Sequence, residues 1–291
     1  MSGGGVAGAL GVAGPRGVSV LILTENEEQD LPGCLDSVRW SDDVQVLDSG
    51  SHDRTVEIAR ERGAKVSERA FDSFAGQRNA AMALAFRHEW VLVLDADERP
   101  TAALSAEIQQ VVQTVGPEVS GFRMRRRDYL WGTWLKHAQM SPYYVRLLRV
   151  GHVRYSRAIN EVTEVDGEVG DLAGALDHLA FSKGISHWVA KHNRYSSVEA
   201  RLLAEGEATR DASLRQALFG KNFHARRVAQ KALFYRMPLR AAVKWLYLMF
   251  VRGAWLDGRA GVVYAGLLSF YEYLIEVKRV ERVRQGAGIR E

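Results

Sequence analysis

The chain has 291 residues, 47% of them hydrophobic and 25% charged, which supplies a sizeable core and excludes a disordered protein. Its single cysteine, Cys34, excludes an intramolecular disulfide and a cysteine-based zinc site, and fits a small core residue in a reducing cytoplasm. The 39 Lys and Arg and 35 Asp and Glu are unevenly spread: between Asp211 and Asp257 there are nine basic residues and no acidic one, leaving 30 basic against 35 acidic elsewhere.

Residues 1–17 are rich in Gly, Ala and Val with no basic residue before Arg16, and read as a flexible leader rather than a secretory signal. Residues 18–23 form a first strand, 24–28 a loop, and 29–39 a helix. A second strand at 44–47 ends at Asp48, and a helix at 54–62 is stopped by Gly63. A short strand at 64–66 precedes a helix at 75–87 that carries Gln77, Arg78 and Asn79 in its first turn. The run Trp90-Val91-Leu92-Val93-Leu94 is a buried strand, followed by a helix at 100–115. Strands at 121–127 and 143–149 belong to a second, mixed half, and from Lys183 the pattern is helical.

Strands alternating with helices of this length predict an α/β fold with a mostly parallel sheet and helices on both faces. The expected division is a leader over 1–17, an α/β domain over 18–182, and a basic, amphipathic helical region over 183–291. The apolar stretches 245–251 and 261–271 fall short of the roughly 20 residues of a spanning helix, so this region is expected to lie on a bilayer.

The strand at 90–94 runs into Asp95-Ala96-Asp97. Two carboxylates one residue apart do not serve packing, because buried charge is costly unless paired or bound to metal. Open α/β sheets bind ligands beyond the carboxyl ends of their strands. Hard oxygen ligands there suit Mg²⁺ or Mn²⁺ carrying a phosphate.

Thr24-Glu25-Asn26-Glu27-Glu28, Leu47-Asp48-Ser49-Gly50-Ser51-His52-Asp53-Arg54-Thr55, Gln77-Arg78-Asn79 and Leu94-Asp95-Ala96-Asp97-Glu98 occur in that order. As a set these closely resemble the inverting, GT-A-fold glycosyltransferases of family 2, above all the branch that adds glucose to the heptose of lipopolysaccharide inner core. Arg146-Leu147-Leu148, Asn160-Glu161 and His178 match later motifs of that branch, with Asn160 where the branch has histidine. The resemblance spans roughly residues 17–280.

It implies a nucleotide-diphosphate sugar, UDP-glucose in that branch, held by Thr24, Glu25, Asp48, Arg78 and Asp95. The second aspartate, Asp97, would coordinate Mn²⁺ or Mg²⁺, with His178 completing the shell. Ser49 stands where many relatives carry the aspartate that reads uracil. Glu161 is the candidate base for inverting transfer, with Glu164, Asp166 and Asp177 as neighbouring alternatives. Arg127, Trp131, Trp134 and Arg146 are candidates for a saccharide or lipid-linked acceptor, since aromatic faces stack on sugar rings and guanidinium groups suit phosphate.

The basic tail is expected to hold the enzyme on the anionic inner face of the cell membrane, from the cytoplasm, with no nucleic acid as partner. The alternative is a non-catalytic membrane- or polyanion-binding protein on the same fold. Dehydrogenase and nucleotidyltransferase readings are excluded because 24–28 contains no glycine to cradle a phosphate.

Overall fold

The computed structural model describes residues 17–156, 162–206, 213–219 and 223–286. The chain divides into two units, one running up to Arg126 and resuming at Pro142–His178, the other made of Arg127–Ser141 and the residues from Leu179 onward.

In the first unit, strand β1 (Val18–Thr24) is apolar on both faces because it lies between two parallel neighbours, β2 (Val44–Asp48) and β4 (Trp90–Asp95). The short β3 (Lys65–Glu68) extends the parallel half beyond β2. β4 then meets β8 (Tyr143–Arg149) in antiparallel pairing, and the order continues through β6 (Val119–Leu130) and β11 (Glu168–His178) to β5 (Glu98–Pro100). Strands β9 (Val153–Ser156) and β10 (Val162–Val165) form a separate ribbon.

Helices α1 (Leu31–Ser37), α2 (Thr55–Glu61), α3 (Phe74–Met82) and α4 (Ala102–Thr114) connect the strands. The main core gathers Val20, Ile22, Leu92 and Leu94 with Leu31, Leu104 and Ile108, and a second cluster forms around Leu21, Val91, Val93 and Tyr155. Cys34 is fully buried in the main core, where burial first and the nearby Glu98 and Asp97 carboxylates next push its thiol well up, so it is unreactive.

Two sequence expectations shift. The helix expected over 75–87 ends at Met82. The helix expected from Pro100 starts at Ala102, with the Thr101 hydroxyl accepting from the Leu104 amide at 3.2 Å. Pro100 instead closes β5, an edge strand that needs no amide donor from it. A tripeptide such as Glu98-Arg99-Pro100 has no periodicity of its own, and it becomes a strand only because β11 pairs with it. Gly174 lets that packing close, since a Cβ there would sit 2.6 Å from Leu104 Cα.

Asp43, at the start of β2, is fully buried and accepts from Ser19 Oγ (2.6 Å), the Arg87 amide (2.8 Å) and Lys65 Nζ (2.8 Å). Burial alone would raise its pKa. The bonds from Lys65, Ser19 and Arg87 outweigh burial and hold the carboxyl far below the usual range. A depressed folded pKa adds stability that is present above the unfolded value, near pH 4, and is lost as pH falls below it. We therefore expect Asp43→Asn to cost about 2 kcal/mol at neutral pH. The gap from wild type should narrow steadily below pH 4. Urea midpoints measured from pH 7 to pH 2.5 check this, and a gap independent of pH would refute it.

The second unit is helical apart from the β6 hairpin partner β7 (Thr133–Trp134). It contains α5 (Gly184–Ala204), α6 (Leu214–Phe219), α7 (Phe223–Tyr235), α8 (Arg240–Leu246), a π-helical turn Tyr247–Val251, a 3-10 turn Ala254–Asp257, and α9 (Gly258–Gly286). Phe181, Trp188, Leu248, Tyr264 and Ala265 form its core, extended by Ala200, Leu203 and Ile275. Lys278 Nζ reaches across to α5 and donates to Asn193 O, Ser196 Oγ and Ser197 Oγ at 2.7–2.9 Å. The apolar stretch expected to stop at residue 271 is part of one continuous helical run, Ala254–Gly286, long and apolar enough by length and composition to cross a membrane. Within its most apolar window 39% of the residues are buried against the unit itself.

Candidate active site

The parallel registers bring three strand ends together. Thr24 pairs with Asp48, and Leu23 pairs with Asp95, so β1, β2 and β4 finish at one level. There Asp48 Oδ1 accepts from Thr24 Oγ1 (2.7 Å) and Ser51 Oγ (2.6 Å), while Oδ2 accepts from the amides of Gly50 (2.9 Å) and Ser51 (2.7 Å). Four donors fill the carboxylate and fix the loop after β2. The loop after β1 is laced to the same turn, the Asn26 amide donating to Ser51 Oγ at 2.7 Å and the His52 amide to Asn26 Oδ1 at 2.9 Å. Glu25 is exposed at this mouth.

Asp95 lies between two guanidinium groups. Arg78, 6% exposed on α3, donates to Oδ1 at 2.9 Å, and Arg146, 6% exposed on β8, donates to Oδ2 at 2.7 Å. The same Arg146 nitrogen also donates to Glu98 Oε1 at 2.7 Å. The other oxygen of Glu98 accepts the Asp95 amide at 3.1 Å, closing a ring of contacts around the strand end. Tyr144 stands between Arg126, 4.7 Å from its ring centre, and Arg146, at 5.5 Å.

Burial opposes the charge on Asp95, but Arg146 and then Arg78 outweigh it and hold its carboxyl well below the ordinary range. Glu98 is fully buried, and burial together with the charge of Asp95 pushes its pKa up against the attraction of Arg146. One environment thus separates two neighbouring carboxylates.

Asp97 is held differently. It occupies the two-residue turn between β4 and β5, and the pairing of β5 with β11 sets His178 opposite Glu98. That register brings His178 Nε2 to 3.2 Å from Asp97 Oδ2, with both side chains partly exposed. Among the described residues no three His, Cys, Asp or Glu side chains are arranged to hold a metal ion on protein ligands alone. One carboxylate and one imidazole at a partly open strand end fit a cation that takes its remaining ligands from phosphate oxygens and water.

The geometry therefore brings Thr24, Asp48, Arg78, Asp95, Asp97 and His178 to one end of the sheet. Arg146 is turned inward onto Asp95 and Glu98, because the buried Glu98 carboxylate requires its charge. Its signal was legible, since an arginine within Tyr-Tyr-Val-Arg-Leu-Leu-Arg on a central strand must find a partner. Glu98 is the buried centre of the cluster. Glu161 and Asn160 lie outside the described residues. Arg127, Trp131 and Trp134 belong to the second unit, where Arg127 stacks 5.5 Å from the Trp134 ring centre and Trp131 is 54% exposed.

An α/β sheet that gathers carboxylates and arginines at its carboxyl edge, with a partly open Asp-His pair, defines a transferase of the GT-A fold. The model of Glycosyl transferase family 2 matches residues 19–167, and the chain belongs to that family as a glycosyltransferase. The lipopolysaccharide core biosynthesis glycosyltransferase LpsC of Rhizobium meliloti is 25% identical over 274 residues, covering 91% of this chain and 92% of its own. An uncharacterized glycosyltransferase of Rickettsia typhi, RT0209, is 26% identical over 276 residues, or 88% of this chain and 84% of that one. Among solved structures, glucosyl-3-phosphoglycerate synthase from Mycobacterium tuberculosis, in complex with Mn²⁺, UDP and glucosyl-3-phosphoglycerate, gives a TM-score of 0.34 at 23% identity. That match spans 38% of this chain and 44% of that one.

Proposed function

We propose that the chain is an inverting, metal-dependent hexosyltransferase that uses a nucleotide-diphosphate sugar, UDP-glucose first among them, to extend a cell-envelope saccharide such as lipopolysaccharide core. The observation that carries this reading is the split between the two strand-end aspartates: Asp95 is clamped by Arg78 and Arg146, while Asp97 lies beside His178. Asp97 and His178 would hold Mn²⁺ or Mg²⁺, which when bound offsets the negative charge that gathers on the departing diphosphate. Thr24 and Glu25 would face the nucleoside, and Arg78 would lie near the phosphates. Asp48, already filled by four donors, would act by shaping the loop between them. Glu161 would take the proton of the acceptor hydroxyl as it attacks the sugar from the face opposite the leaving group. The acceptor would be drawn from core saccharides, as the likeness to LpsC supports.

UDP release from a panel of UDP-sugars, with and without Mn²⁺ or Mg²⁺, tests the reading. Metal-dependent release from one sugar supports it and names the donor. With an acceptor present, Glu161→Gln should lose transfer while keeping UDP binding. No release and no metal-dependent UDP binding would refute it.

The helical unit supports a place of work at an anionic membrane, reached from the cytoplasm. Phe250, Val251, Trp255 and Leu256 are 69%, 74%, 56% and 54% exposed, within the stretch that lacks any acid and beside Arg252. An apolar surface of this kind rimmed by basic side chains suits an anionic lipid face. Phe250→Glu with Trp255→Glu should lower sedimentation with phosphatidylglycerol vesicles at least about tenfold, since each buried aromatic contributes roughly 1.5–3 kcal/mol. Unchanged sedimentation would remove the membrane from the proposal.

A further inference from the structure

Tyr129 pairs with Trp134 and Leu130 with Thr133, so Trp131 and Gly132 are the two central residues of a tight β-hairpin. Both have positive φ, +51° and +74°. Such a turn favours Asn-Gly or Gly-Gly, and a bulky indole at the first position is strained. Strain of this kind persists at sites of function, where the side chain is wanted at the tip. The Trp131 ring is 54% exposed, and the Arg259 guanidinium lies 5.6 Å from its centre.

Two residues before Arg259, Asp257 ends the 3-10 turn Ala254–Asp257 and is itself 8% exposed. Its Oδ2 accepts from the amides of His137 (2.8 Å) and Ala138 (2.7 Å), and its Oδ1 lies 2.6 Å from His137 Nδ1. A carboxylate already held by two backbone amides accepts from the ring, so Nδ1 carries the proton. In the neutral ring Nε2 then presents a lone pair away from Asp257. The His137 side chain is 34% exposed, and Arg252 Nε donates to the His137 carbonyl at 3.2 Å. All these groups belong to the second unit. The first-unit cluster of Asp95, Asp97 and His178 does not involve them.

We infer that the Trp131 hairpin tip, Arg259 and the Asp257-oriented His137 form a recognition site for a phosphate-bearing saccharide. This rests on the acceptor reading above and adds to it a residue that reads a hydroxyl. The indole face stacks on a sugar ring, Arg259 pairs with the anionic substituent, and His137 Nε2 accepts from a ring hydroxyl. Asp257 acts through His137 as a positioning residue.

The test titrates the full chain with a delipidated, phosphorylated lipopolysaccharide core oligosaccharide, following tryptophan fluorescence. Wild type is expected to bind, and Trp131→Ala and His137→Asn to weaken binding at least about tenfold, the worth of one aromatic or buried hydrogen-bond contact. His137→Asn keeps a donor for Asp257 but has no outward Nε2. A purely structural histidine would therefore be rescued by it, with wild-type Tm and wild-type affinity, and that result would overturn the inference. So would absence of binding by wild type. Loss of vesicle binding in Trp131→Ala with oligosaccharide affinity intact would overturn it too, assigning the tip to the membrane. UDP release, measured without oligosaccharide, separates the failure of this inference from the failure of the transferase reading.

Discussion

Asp97→Ala is expected to lose metal-dependent UDP release, lowering kcat/KM by at least ~10²-fold, the usual cost of removing one group that stabilises developing charge. The argument is geometric. Asp95 cannot take over, because both its oxygens already accept from buried arginines at 2.9 and 2.7 Å. Glu98 cannot either, being fully buried and turned toward Arg146. His178 lies 3.2 Å from Asp97, so on the proposed metal reading His178→Ala should cost less, roughly tenfold, as one ligand lost from a shell largely made by phosphate and water. Asp97 sits in the two-residue turn between β4 and β5 and is partly exposed, so the variant's Tm should stay near wild type. Steady-state UDP release across a Mn²⁺ titration decides it. Retention of metal-dependent release within threefold of wild type would remove Asp97 from the metal.

Arg146→Ala is expected to be among the most destabilising single changes in the first unit, by about 3–5 kcal/mol, because it leaves the buried Glu98 carboxylate without its nearest counter-charge. Arg146 reaches Asp95 and Glu98 through one nitrogen, each at 2.7 Å, at 6% exposure. Glu98 already titrates above its ordinary value through burial and the charge of Asp95. A group raised in the folded state gives stability that is full below the unfolded value and is lost as pH rises through the folded one. The variant should therefore lose further stability as pH rises above the ordinary carboxylate range, where a Glu98 without Arg146 is driven to ionise. Glu98→Gln placed on Arg146→Ala should recover part of the loss at pH 8 and little at pH 5. Urea unfolding of the two single variants and the double variant measures the coupling. A loss under 1 kcal/mol for Arg146→Ala would show that the cluster does not hold the strand end.

Much of the first unit is written locally. The runs of β1, β2 and β4, and the helices between them, are visible because apolar periodicity over four to thirteen residues reflects burial that any packing of the chain would demand. The paired aspartates after β4 announced ligand chemistry for the same reason, since charge after a buried strand has no packing role. The antiparallel half was less legible. β5 has three residues, and β9 and β10 have four each, too short for a period to register. In the tail, Arg252, Asp257 and Arg259 with their neighbouring glycines broke the hydropathy of 245–271 into pieces, while the chain there continues as helix through residue 286.

By itself the sequence determined which residues must be buried, where the parallel strands end, and that Asp95 and Asp97 stand at such an end. It could not decide what each carboxylate does, because that depends on partners 17 to 81 residues away along the chain: Arg78 and Arg146 on Asp95, His178 on Asp97. Nor could it pair His137 with Asp257, 120 residues on. Charge is fixed by residue type, but its use is fixed by distance to other charges and by exclusion of water, and only the folded chain sets those.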